Sequence, residues 1–284
     1  MSRPRAHPSR RARVGSELAA RERIPAMAAD AWDPAQYNRY ADEREQPFWD
    51  LARLLTPAQD PVLVDLGCGD GRLTAALHHR LGAAHTVGVD NSQAMLAQAA
   101  SHASDTIAFD LGDIGAWQQP ETYDVVFANA SLQWVPDHGK VLRRWIHSLK
   151  PGGQLAVQVP SNADQLPWLL AAELAAELLT DPPPDPVANN VLTPEVYVWL
   201  LDELGCSDQH VRLQVYAHHL ASTADLVEWL KGTTLTRFRE PLGPDAWDNF
   251  IEQYRRRLLA VLGDRSPYLF PFKRLLLWGR RPES

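Results

Sequence analysis

Cysteine is scarce in this chain: Cys68 and Cys206 are the only two among 284 residues, one inside a glycine stretch and one after an expected helix. That scarcity argues against a disulfide framework and a cysteine zinc site, and makes a reducing, cytoplasmic setting the expectation. Long apolar runs are missing too; with no stretch of about 18 apolar residues, no membrane span is expected. No Gly-Lys-Ser/Thr follows the glycine-rich turn, which excludes a P-loop. Ten histidines are present, but His78-His79 and His218-His219 are sequence neighbours whose side chains point apart on a helix or strand, so no metal site is expected. Ser131 has no nucleophile-elbow context.

What is present is the composition of a globular protein. With 45% hydrophobic and 22% charged residues, the chain can bury a core and is not compositionally disordered. Its charge is uneven. The first 26 residues hold seven arginines (Arg3, Arg5, Arg10, Arg11, Arg13, Arg21 and Arg23) against Glu17 and Glu22, and this +5 out of a total of −7 leaves −12 for the rest. Such an arm suits nucleic acid or an anionic membrane, and Arg10-Arg11 hints at a twin-arginine signal. No apolar segment follows the pair, so export is not expected. The arm reads as a disordered tail, and the acidic remainder argues against a nucleic-acid enzyme.

Beyond the tail, apolar strands alternate with amphipathic helices. Val62 to Leu66 is a short apolar run, and Leu73, Leu77 and Leu81 follow at helical spacing. Strands are expected at Thr86 to Val89, Thr106 to Phe109, Tyr123 to Ala128 and Gln154 to Val159, with helices at Ser92 to His102 and His138 to Leu149. Strands without in-out alternation, separated by helices, imply a parallel sheet covered on both faces. The second half is more helical, with helices expected at Leu166 to Leu179, Pro194 to Leu204, Thr223 to Lys231 and Pro244 to Leu262, and strands at Val211 to Leu220 and Lys273 to Trp278. The breaker Asp181-Pro-Pro-Pro-Asp-Pro186 reads as a surface loop.

The glycine turn narrows the ligand. Gly67, Gly69 and Gly71 follow the first strand in a G-x-G-x-G spacing, with Arg72 where a dinucleotide fold wants its third glycine. Backbone can approach a ligand here, and the next helix N-terminus favours an anionic group, but a bulky Arg72 speaks against NAD. Asp90 ends the second strand 19 residues beyond Gly71, where a carboxylate can accept both hydroxyls of a ribose. Alone, the turn could be plain structure and Asp90 a helix cap with Asn91 and Ser92. Their joint spacing, with Asp113 beyond the third strand, points to a ligand containing adenosine or a relative.

These residues resemble the class I S-adenosylmethionine-dependent methyltransferases. Asp65-Leu-Gly-Cys-Gly-Asp-Gly71 looks like their first motif, Asp90 their ribose-binding acid and Gly112-Asp113-Ile114 their adenine-contacting segment. Trp32-Asp-Pro-Ala-Gln-Tyr37, Phe127 to His138, Leu155 to Pro160 and Phe270-Pro-Phe-Lys-Arg-Leu275 are similar to the trans-aconitate 2-methyltransferase family, a likeness spanning roughly residues 31 to 281. The fold so implied is α/β, a doubly wound, mostly parallel seven-stranded Rossmann-like sheet with helical lid insertions. Residues 1–29 would be the disordered tail and 30–284 a single methyltransferase domain. Within it, the cofactor core would span about 60–162, covering segments about 30–56, 163–204 and 221–264, and closing strands about 211–220 and 273–279.

The resemblance also implies site residues. Asp65 and the backbone of Gly67, Cys68 and Gly69 would lie near the methionine moiety of S-adenosyl-L-methionine, Asp90 with Asn91 at the ribose, Asp113 and Ile114 at the adenine, and Asn129 on the methionine side. Trp134 would stand near the transferred methyl, where an aromatic ring favours a sulfonium. A carboxylate nucleophile is already ionised at neutral pH, its ordinary pKa being about 4, so no catalytic acid or base is expected. A tricarboxylate demands cations and hydrogen-bond donors at one end of its site. Candidates are Tyr37, Arg39, Tyr40, Arg44, His138, Lys231, Thr233, Thr234 and Arg237, with Tyr37 and Arg44 preferred. The partner is expected to be a small carboxylic acid, with no nucleic acid and no membrane, and the chain a monomer or weak oligomer. Two alternatives stay open: a carboxyl methyltransferase for another acid such as malonyl-acyl carrier protein, and a cofactor-binding protein without turnover.

Overall fold

The short apolar runs pair edge to edge into one sheet. The computed structural model describes residues 41–283, with side chains from residue 45 onward; the basic tail, the Trp32 to Tyr37 motif, Tyr37, Arg39, Tyr40 and the Arg44 side chain lie outside the described residues. In chain order the elements are α1 (Ala41–Ala52), β1 (Val62–Leu66), α2 (Arg72–Leu81), β2 (His85–Asp90), α3 (Gln93–Ala99), β3 (Ile107–Leu111), β4 (Tyr123–Asn129), α4 (His138–His147), β5 (Leu149–Pro160), α5 (Leu166–Leu178), α6 (Pro186–Asn190), α7 (Pro194–Glu203), β6 (Asp208–Leu220), α8 (Asp225–Lys231), α9 (Arg239–Leu262) and β7 (Tyr268–Arg280). The sheet order is β3-β2-β1-β4-β5-β7-β6. The first five strands run parallel, and β7 inserts antiparallel between β5 and β6.

Alternate residues of each central strand feed opposite cores. Val64, Val126, Val157 and Leu277 face α4 and α7 with Trp145 and Tyr197. Leu63, Val125, Phe127 and Leu276 face α1 and α2 with Phe48, Leu51 and Leu77. Both faces are dry, which is why these strands read as continuous apolar runs. A third core lies off the sheet, where α5, α8 and α9 pack Trp168, Leu174, Trp229 and Tyr254 against Phe270 and Phe272 at the start of β7.

Helix ends follow their local sequence. Gly82 ends α2 with φ 59°, and its N–H and that of Ala83 close on His79 and His78 carbonyls, satisfying groups the helix leaves open. The Ser92 side chain accepts from the Met95 N–H to start α3.

Three expectations are corrected. β7 begins at Tyr268, five residues before the expected start at Lys273, because its first half pairs with β6 beyond the end of β5. α9 begins at Arg239 and bends at Gly243, where φ is 71° and Pro244 follows. The proline-rich stretch is not simply a surface loop: Asp185 caps α6 and Pro186 is buried.

Candidate functional site

The sheet order reverses at β1, whose neighbours are β2 and β4. Open α/β sheets bind ligands in the crevice at the carboxyl ends of such strands. The Gly67 and Cys68 N–H groups both reach the Val89 carbonyl, at 2.7 and 3.2 Å, which ties the glycine turn to the end of β2. The Gly69 N–H then donates to Asp90 Oδ2 at 2.9 Å, and Ser92 N–H to Asp90 Oδ1 at 2.9 Å. Each carboxylate oxygen keeps a second lone pair for another donor.

The three glycines serve different ends. All have positive φ. A Cβ on Gly67 would lie 2.2 Å from Ser131 Cβ, and one on Gly71 2.6 Å from the Phe109 ring, so these two are packed against β4's turn and β3. A Cβ on Gly69 would meet nothing within 4 Å. The middle of the turn is therefore open, and it lies beside the Asp90 carboxylate.

Asp65 and Asn129 stand at the ends of β1 and β4. Asp65 is buried and accepts from Thr74 Oγ1 at 2.5 Å. Burial raises its carboxyl to about 7; the Thr74 hydrogen bond opposes this and the charge of Asp90 adds to it. Asn129 Oδ1 is a buried acceptor with no hydrogen-bond partner. Burial also pushes the Cys68 thiol well up, so this cysteine stays protonated. Asp113 is exposed and accepts from Gly115 N–H at 2.8 Å, while the Ile114 carbonyl accepts from Trp145 Nε1 at 3.0 Å, fixing that segment to α4. Asn91 is exposed beside Asp90.

A cleft of about 730 Å³, partly open to solvent, adjoins the end of β4 and extends under the third core. Trp134, Thr233, Thr234 and Arg237 line it, and so do Gln133, Asn162, Asp185 and Arg274. Arg237 Nη1 pairs with Asp185 Oδ2 at 2.7 Å, the two side chains being 7% and 13% exposed. The Arg274 guanidinium lies 4.5 Å from the centroid of the Phe272 ring.

Two expected contacts are not brought to this cleft. His138 is buried, with Nδ1 2.6 Å from the Tyr197 hydroxyl and Nε2 3.0 Å from the Leu132 carbonyl. A carbonyl only accepts, so Nε2 carries a proton and donates it to Leu132; with Nδ1 on the Tyr197 hydroxyl, both nitrogens are engaged in fixing α7 to the turn after β4. Lys231 pairs with Glu228 at 3.3 Å on the last turn of α8. Arg274 and Asp185 were missed. The signal for Arg274 was its place two and four residues after Phe272 and Phe270, on the same side of a strand; that for Asp185 was an aspartate directly before a helix-starting proline.

Comparison with known proteins agrees with this geometry. A family model described as a methyltransferase domain matches residues 59–200. The trans-aconitate 2-methyltransferase of Deinococcus radiodurans is 38% identical over 259 residues, covering 89% of this chain and 99% of that protein. The chain belongs to the trans-aconitate 2-methyltransferase family. Among solved structures, the YcgJ protein from Bacillus subtilis matches with a TM-score of 0.58 and 16% identity, covering 84% of this chain and all of that one. Phosphoethanolamine N-methyltransferase 2 of Haemonchus contortus, solved with S-adenosylhomocysteine, matches with a TM-score of 0.53 and 17% identity over 84% of this chain and 52% of that one. Both show the fold, that of the class I methyltransferases. As a member of the trans-aconitate 2-methyltransferase family, the chain is an S-adenosylmethionine-dependent methyltransferase. No helix among the described residues is long and apolar enough to cross a membrane.

Proposed function

We propose that this methyltransferase forms the monomethyl ester of trans-aconitate. One observation carries the reading: in a chain of net charge −7, two largely buried arginines, Arg237 and Arg274, line a cleft that adjoins the end of β4. Buried cations in an acidic protein fit an anionic ligand. Charges held inside a cleft favour a free acid over an acid carried on a protein, which would want a basic docking face.

The residues at the turn fit S-adenosylmethionine. Gly69 leaves room for a ligand, Asp90 offers lone pairs to ribose hydroxyls, and the unpartnered Asn129 Oδ1 with Asp65 suits the ammonium of the methionine moiety. Asp113 and Ile114 would flank the adenine, with Cys68 and Asn91 contributing beside the turn. When bound, the cofactor supplies a methyl group on a positively charged sulfur. The chain's own work is placement. The acid is already ionised, so no residue need take a proton, and holding a carboxylate oxygen in line with the methyl carbon can supply roughly 7 to 11 kcal/mol of barrier lowering. Trp134, at the cleft wall nearest β4, would border the methyl. Helices α5, α8 and α9 would act as a lid that keeps water out, with residues 30–284 forming one domain.

Purified protein incubated with methyl-labelled S-adenosylmethionine and, separately, trans-aconitate, cis-aconitate, citrate, isocitrate and malonyl-acyl carrier protein tests this. Base-labile label on trans-aconitate supports the assignment; cofactor binding without label on any acid sinks it.

A further inference from the structure

We infer that the cleft is a two-point clamp in which Arg237 and Arg274 each hold one of the two carboxylates that are not methylated, and that Asp185 is the positioning residue that aims Arg237. The inference rests on the trans-aconitate reading. Only three charged side chains line the cleft among the described residues, Asp185, Arg237 and Arg274. A tricarboxylate that presents one carboxylate to the methyl donor has two left, and two guanidiniums meet them.

Each guanidinium rests against an aromatic ring. That of Arg237 lies 4.4 Å from the centroid of the Phe238 ring, and that of Arg274 4.5 Å from the Phe272 ring. Arg237 is further restrained by Asp185, and Asp185 does not move freely. Its Oδ1 accepts from the Val187 N–H at 2.9 Å as the cap of α6, while Oδ2 takes Arg237 Nη1 at 2.7 Å. This arrangement spends one end of the guanidinium and leaves the Nε edge unspent: Arg237 Nε is buried with no hydrogen-bond partner. A buried N–H without an acceptor is unfavourable. The Nε edge is one of the pairs of parallel donors that match a carboxylate two to two. Asp185 thus serves as a fixed brace, and the substrate carboxylate completes the arginine's hydrogen bonding.

The test is a chemical cycle in which carboxyl groups are removed from the acid and arginines from the protein. Binding is measured by calorimetry with S-adenosylhomocysteine present, for trans-aconitate and for three dicarboxylates: itaconate, lacking its vinylic carboxyl, glutaconate, lacking the central one, and fumarate, lacking the carboxymethyl arm. Arg237→Lys and Arg274→Lys keep the charge and lose the fork; thermal unfolding checks that they fold. Each should weaken trans-aconitate by about tenfold or more yet leave unchanged the dicarboxylate that lacks the group it holds, and the two variants should point to different groups. Asp185→Asn keeps a good helix cap and should reproduce the Arg237→Lys pattern without adding to it in the double variant. A uniform loss across all four acids, or no loss, overturns the clamp, and Asp185→Asn with full discrimination overturns the brace. Should wild type bind with this pattern but transfer no methyl, the reaction assignment falls and the clamp stands; transfer with indiscriminate arginine variants gives the reverse.

Discussion

Asp65 is a carboxyl group placed beyond the reach of water, and its titration is a handle on the site. Burial lifts its pKa from the ordinary 3.8 to about 7. Between these values the folded chain holds a proton that the unfolded chain has lost, so the contribution of Asp65 to stability is greatest below about 4 and falls as pH rises toward 7. At roughly 1.4 kcal/mol per unit, the loss comes to about 4 kcal/mol. Between pH 4 and pH 7.5, urea unfolding should show wild type losing about that much more stability than Asp65→Asn. If the methionine ammonium sits against Asp65, cofactor affinity should rise with pH through the same window and lose that slope in the variant. Asp90→Asn removes a charged acceptor of the turn and, on the proposed assignment, of the ribose. It should weaken S-adenosylmethionine by about 10- to 100-fold, since hydrogen bonds to charged groups contribute about 1.5–3 kcal/mol, as read by fluorescence titration. Single residues are also where sequence reading misjudged the acid site. His138 looked available as a cation, but Tyr197, 59 positions away, occupies one ring nitrogen.

At the level of elements, the turn after β1 and the helical cap should fail differently. Gly67→Ala forces a Cβ into Ser131 at a positive φ, a strain of order 1–3 kcal/mol, and should lower the melting temperature together with cofactor affinity. Trp229→Ala empties a fully buried place against Phe270 and Phe272, costing about 3–5 kcal/mol. It should weaken the acid while leaving S-adenosylmethionine binding nearly intact, measured by calorimetry with each ligand. The same contrast explains what the sequence disclosed. Strand, turn and Asp90 are built from contiguous residues whose spacing is visible in the chain. The cleft draws on residues 130, 185, 237 and 274 from four separate places, and nothing local in the sequence announces that they meet. Arg274 was masked further by its setting, since a strand of Phe, Leu and Trp reads as core.

Across the whole molecule, the global field and the cleft oppose each other. A chain of net charge −7 repels a trianion at long range, whereas on the proposed assignment the arginines attract it once inside. Salt screens exposed charges over a Debye length of about 8–10 Å and buried ones far less. Raising ionic strength from about 10 to 150 mM should therefore leave kcat/KM for trans-aconitate unchanged or raise it by about twofold, the reverse of an enzyme that steers its substrate; a steep fall would mean that the arginines act from the surface. The parallel sheet was legible because it follows from alternation of strands and helices, while the early start of β7 was not, because its partner there is β6 alone.

β7 joins these scales. The one strand packs Phe270 and Phe272 into the helical cap, passes the cleft at Arg274 and from there gains β5 as a second neighbour, with Leu275 to Leu277 in the cores of the sheet. Its side chains alternate, so a slip of one position would swing Arg274 away and offer the cleft Lys273 or Leu275 instead. If the clamp holds, the strand works as a ruler: the choice of acid is written as a count of residues from the last rung of the ladder. Relatives that insert or delete a single residue within it should therefore differ in the anion they accept while keeping the same cofactor.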